Sequence, residues 1–155
     1  MTEVLLLLGA TLGLCAASAV VPIINGELVV IGAVAARPEL IVPIVLVAAL
    51  GQMIGKCVMY GAGAGAVELA AKKKKETLTK YIDRYREKFE SHPRSAAALV
   101  FVSASLGLPP FYVVSLLAGA FHFGFWRFAI LGFIGRATRF AVIAAVPAVA
   151  SHTLW

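Results

Sequence analysis

Residues 20–33 read VVPIINGELVVIGA. One acid, Glu27, stands five residues after Pro22 and directly after Gly26, in a run with no other charge. Proline inside a helix removes a backbone hydrogen bond and clashes with the preceding turn, at about 3 kcal/mol. Glycine lets a chain turn tightly. The stretch therefore reads as a break in an apolar helix with a carboxylic acid placed at the break.

The rest of the chain says what solvent that break meets. Of 155 residues, 61% are apolar and 14% charged, and the mean hydropathy is +0.91. Globular domains are about a quarter charged, so too little polar surface remains to cover a soluble fold. An all-α integral membrane protein is expected. The net charge of +6 is uneven. Residues 67–94 hold nine of the 14 basic residues and five of the eight acids. A basic block between membrane segments suits an anionic membrane surface rather than nucleic acid. Cys15 and Cys57 both lie in apolar runs, and no Cys/His spacing resembles a zinc site. The first residues, MTE, carry an acid and no Lys or Arg, which is wrong for a secretory leader. The apolar stretch after them is expected to be a retained membrane segment.

Four apolar blocks follow: 4–36, 40–62, 95–123 and 124–150. A helix needs about 20 residues to cross the hydrocarbon. Blocks 40–62 and 124–150 fit one crossing each. Pro109-Pro110 splits 95–123 into arms of 14 and 13 residues, and Pro22 splits 4–36 into arms of 18 and 14. These two blocks are expected to form re-entrant helical hairpins with tips at Pro22, Gly26, Pro109 and Pro110. Between the units, Leu78, Tyr81, Ile82, Tyr85 and Phe89 recur at helical spacing among charges, so 66–92 is expected to be an amphipathic interfacial helix. Its lysines belong on the cytoplasmic side by the positive-inside bias.

The broken blocks match each other. Ser18 to Pro22 runs on to Gly32-Ala33, ten residues after the proline, and Ser105 to Pro109 runs on to Gly119-Ala120 at the same distance. Each is followed by a spanning block in which a Gly-rich stretch ends in a cation, Gly55-Lys56 and Gly135-Arg136. With one crossing per unit the second repeat starts on the opposite face, so residues 1–155 form a single domain of two inverted repeats. Broken helices meeting at the midplane build substrate sites in many secondary transporters.

Glu27 is the first candidate for chemistry. An intramembrane acid costs about 2.5–3.5 kcal/mol on insertion scales and by default marks an ion or proton pathway. Arg136 and Arg139 stand three apart on one helix and can face one cavity; with Lys56 they are the cationic candidates for binding a phosphate, which arginine's planar fork suits best. Asn25, Gln52, Ser103, Ser105 and Tyr112 can line the same space, though helix-to-helix hydrogen bonding explains each better. No Walker loop, dinucleotide fingerprint or nucleophile elbow occurs. Neither catalysis, a cofactor nor a metal is expected.

PIINGELVVIGA with the span ending GQMIGKCVMYGAG, and then GLPPFYVVSLLAGA with FWRFAILGFIGRATRF, together resemble the DedA family, also called SNARE-associated or VTT-domain membrane proteins. The resemblance covers roughly residues 16–141. It implies facing re-entrant hairpins and movement of a lipid, undecaprenyl phosphate or a phospholipid, with proton coupling in bacterial members. The family's acid after the first proline matches Glu27. Its arginines three residues before and after the second proline do not carry over, and the upstream acid and outer helices of longer members are missing. The expectation is a lipid translocase of the cytoplasmic membrane with membrane lipids as partners, self-associating as a homo-oligomer. The residues alone leave open a proton- or ion-coupled transporter of a small solute, or a non-transporting assembly protein.

Overall fold

A computed structural model of the chain describes residues 1–21, 23–72, 80, 83, 86–87 and 90–153. Pro22 and most of the expected interfacial helix 66–92 lie outside these residues. Six α-helices and one 3₁₀ turn are described: α1 Thr2–Val20, α2 Gly26–Ala36, the turn Pro38–Leu40, α3 Ile41–Lys72, α4 Pro93–Leu106, α5 Phe111–Ala120 and α6 Phe125–Thr153. No strand occurs among the described residues.

Three helices are long and apolar enough to cross a membrane: α1, the segment Pro38–Leu69 and the segment Phe125–Val146. The sequence reading expects two. The added one is α1, read above as an arm too short to cross. Its 19 residues have a mean hydropathy of 2.0 and about 28 Å of length at 1.5 Å per residue, close to the ~30 Å hydrocarbon thickness. The second spanning helix also continues ten residues past position 62, through Lys72, into the stretch assigned to the interfacial helix. Ala62, Ala64, Ala66, Ala70 and Ala71 are good helix formers, and no proline interrupts 44–92.

The helices face outward with apolar side chains. On α3, Val42, Leu46, Leu50, Ile54 and Val58 recur every four residues and are all exposed. On α6, Trp126, Ile130 and Ile134 do the same. A stripe of that extent is what a lipid-facing helix presents.

The chain divides into two compact units, residues 1–55 with 133–155 and residues 56–132. In the first, α1 packs on α2. The core there is Cys15, Val30, Val34, Ile44, Ala48, Phe140 and Ala144 with their neighbours. Small residues bring α1 against α3: a side chain on Gly51 would start 2.5 Å from the Leu12 carbonyl oxygen. Arg37, just past α2, donates to Glu3 at 2.9 Å and to Glu39 at 3.4 Å, tying the outer ends of α1 and α2 together.

In the second unit, α4 and α5 are 14 and 10 residues long and pack together. Neither is among the helices long enough to cross. Gly107 ends α4 in the left-handed conformation (φ 80°), and the Leu108–Pro109 peptide is cis. The Ser103 hydroxyl, fully buried, donates to the Pro109 carbonyl at 2.6 Å and braces the turn. Phe111 stacks on Phe128, and Phe128 on Tyr60, with centroids 5.8 and 5.1 Å apart. Gly119 brings α5 onto α3 so closely that a Cβ there would overlap the Tyr60 carbonyl. That obstacle is backbone and has nowhere to move. Gly119→Ala should therefore lower stability by about 1–3 kcal/mol, whereas Gly32→Ala, inside α2 with nothing within 4 Å, should raise it by up to about 1 kcal/mol. Thermal unfolding in detergent compares the two.

Candidate functional site

The site grows from the start of α2. Asn25 caps that helix: its side-chain oxygen accepts from the Glu27 backbone N–H at 3.0 Å. This satisfies one of the donors that every helix start leaves open. Gly26, the first helical residue, is buried against Ser18 and Gln52; a Cβ there would lie 2.8 Å from the Ser18 hydroxyl. Gln52 donates to that hydroxyl at 2.7 Å, and Ser18 donates to the Cys15 carbonyl at 2.8 Å. The glycine is thus what lets the break seat against α1 and α3, and Glu27 follows it at a fixed place.

The Glu27 carboxylate does not rest on backbone amides at the break. Arg139, 112 residues along the chain, reaches it: Nε donates to Oε1 at 2.7 Å and Nη2 donates to the same oxygen. The side chains keep 35% and 23% of their exposure, so the pair is partly open rather than sealed. Arg136, one turn earlier on α6, lies within Coulombic range of both partners, and its Nε is shut off from solvent. The cluster carries two guanidinium groups and one carboxylate, a formal charge of +1.

The structure thus brings together Glu27, Arg136 and Arg139, which the sequence reading assigned to two separate tasks. The signal was present. An intramembrane charge usually pairs with another, and Glu27 is the only acid in the chain between Glu3 and Glu39. Lys56 falls in the second unit, at 5% exposure, and Pro109 and Pro110 lie in that unit too. Of the polar side chains suggested as cavity lining, Gln52 braces the break, Ser103 braces the second turn, and Ser105 donates to the Phe101 carbonyl of its own helix. Tyr112 is about half exposed. Among the described residues no group of three His, Cys, Asp or Glu side chains comes together as for a metal ion.

One wall of a groove stands on the same helix as the arginines. Ile41, Val42, Val45 and Leu46 of α3 face Ala137 and Ala141 of α6 across about 430 Å³. Thr138 also lines it, with its hydroxyl tied to the Ile134 carbonyl at 2.8 Å. The groove offers an apolar chain a bed and offers a polar solute little to bind.

Three helices long and apolar enough to cross a membrane, a capped helix break and an ion pair at that break fit a membrane protein. The family model of the VTT domain, the DedA or SNARE-associated domain, matches residues 7–148, and the chain belongs to that family. No curated protein and no solved structure matches it.

The pair should behave as a unit. Arg139→Gln leaves Glu27 without its guanidinium, and Glu27→Gln leaves two cations facing each other, so each single change should destabilise the fold. The double variant should cost less than the sum, with a coupling of about 1.5–3 kcal/mol for a charge-assisted hydrogen bond. A double-mutant cycle on unfolding in detergent measures it, and a coupling near zero would show that the pair does not hold the fold.

Proposed function

We propose that the protein moves a phosphate-bearing lipid, an undecaprenyl phosphate or a phospholipid, across the cytoplasmic membrane. The observation that carries this reading is the Glu27–Arg139 ion pair beside Arg136. A phosphate monoester or diester matches the guanidinium fork bidentately, and the cluster's charge of +1 favours one anion. Glu27 and the phosphate compete for Arg139. A proton on Glu27 cancels its charge and releases Arg139 to the head group; loss of that proton restores the pair and expels the head group. Proton binding and lipid binding are thereby linked through a single guanidinium. The apolar groove on α3 and α6 supports a lipid over a soluble solute, because a chain laid there stays in contact with the same helix that holds the head group.

In this reading the two halves are inverted repeats. The α4–α5 hairpin is re-entrant. Cysteine labelling from each side tests this: residues 73 and 155 should react from opposite faces, and reaction from the same face overturns it.

The transport test uses proteoliposomes with a labelled lipid phosphate. Wild type should accelerate transfer over empty liposomes, and an imposed proton gradient should change the rate. Glu27→Gln should lose the gradient dependence. Arg139→Gln should lose transfer, with Arg139→Lys restoring only part of it because lysine lacks the fork. Wild-type transfer no faster than empty liposomes sinks the lipid reading. Uptake of a small anionic solute in place of lipid would move the same site to solute transport.

A further inference from the structure

A second polar pocket lies in the other unit, at the turn between α5 and α6. Its volume is about 210 Å³, and Glu90, Pro93, His122, Gly124 and Arg127 line it together with Phe121 and Phe123. That is smaller than the roughly 300–1,000 Å³ of pockets that enclose a drug-sized ligand; it suits a head group.

The turn is built in an unusual way. Phe123 N–H donates to the Ala118 carbonyl at 2.9 Å and His122 N–H to the Gly119 carbonyl at 3.1 Å. This is the paired bonding of a Schellman end, which places the residue at position 122 in the left-handed region, ordinarily glycine's place. Here it is histidine, at φ 53°. A non-glycine residue held there costs about 1–3 kcal/mol and so points to a use for its side chain. Tyr60 fixes the turn from α3, its hydroxyl donating to the Phe123 carbonyl at 2.5 Å.

The charges around the pocket favour an anion. Arg127 folds back over the turn, its Cδ 3.8 Å from where a side chain on Gly124 would start. Glu90 already accepts from Arg86 Nε at 2.9 Å, so its charge is matched. Arg127 remains as the excess positive charge, with His122 beside it able to donate. Depth agrees. The spanning segment of α6 begins at Phe125, so the pocket lies just beyond its end. Trp126, 75% exposed, sits at the position where aromatic side chains favour the head-group layer.

We propose that this pocket is an interfacial phosphoryl site, holding a lipid phosphate head group or free phosphate between Arg127 and His122. It is separate from the Glu27–Arg139 cluster and does not depend on that cluster transporting anything.

Trp126 reports on it. The chain has two tryptophans, and Trp155→Phe leaves Trp126 alone. The full-length protein is placed in phosphatidylcholine vesicles containing brominated phosphatidic acid or, at the same bromine position, brominated diacylglycerol. Phosphatidic acid should quench Trp126 at a lower mole fraction than diacylglycerol. Arg127→Gln should weaken that preference about tenfold or more, the scale of one charge-assisted hydrogen bond. His122→Gly provides the control on folding. It suits the left-handed turn, so thermal stability should hold or rise while the preference falls. Added inorganic phosphate separates the sources: displacement assigns the pocket to phosphate from solution, and persistence assigns it to the lipid. Equal quenching by the two brominated lipids, or an undiminished preference in both variants, overturns the proposal.

Discussion

Hydrocarbon supplies no partner for a polar group, and most of the polar placement in this chain follows from that constraint. Hydroxyls inside straight helices bond back to their own backbone, as Thr11 does to Leu7, Ser115 to Phe111 and Thr138 to Ile134, at 2.6–2.8 Å. Where a helix breaks, side chains from elsewhere take over. Ser103 holds the Pro109 carbonyl, Asn25 holds the Glu27 amide, and Gln52 holds Ser18 beside Gly26. A break without such partners would cost several kcal/mol per exposed backbone group. The breaks persist because each one has its own local set of partners.

The same constraint turns Glu27 and Arg139 from two liabilities into one device. Either alone at membrane depth is costly; together they satisfy each other and fix α2 against α6. The pairing also limits what the site can do. The bonds that Arg139 makes to Glu27 through Nε and Nη2 are not open to another group while the pair stands. An acid that only bound protons would not need this geometry, and an arginine that only bound phosphate would be better left without an acid beside it.

The breaks, the membrane setting and the identity of the charged residues were legible in the sequence because proline, glycine and isolated charges are rare events in apolar runs. The Pro109-Pro110 turn between two short helices is of this kind. So is Glu27 at the start of α2. Lengths were harder to read. α1 ends at Val20, the boundary that a proline at position 22 predicts; what was not legible is that its 19 residues suffice to cross. The run of alanines and glycines after position 62 lets α3 continue, and only neighbouring packing decides whether it does. The pairing of Glu27 with Arg139 joins positions 112 apart, and no periodicity reports a contact of that range. His122 was equally silent, since a left-handed histidine differs from any other only in its φ.

The two helix breaks differ in their chemistry. The place of Glu27, five residues after the first proline, is taken in the second unit by Val114, which is 1% exposed and packs in the core. Around that residue the unit is closed with aromatic rings, and Gly119 presses α5 against the α3 backbone. A carboxylate at 114 would be buried in the core of its unit, while Arg127 stands out at the turn and is exposed. The second unit keeps Arg127 at the rim, next to Trp126 and His122. A chain that carried a charged pair at both breaks would bury twice the charge for the same anion. Confining the pair to one break leaves the other free to pack tightly around Val114.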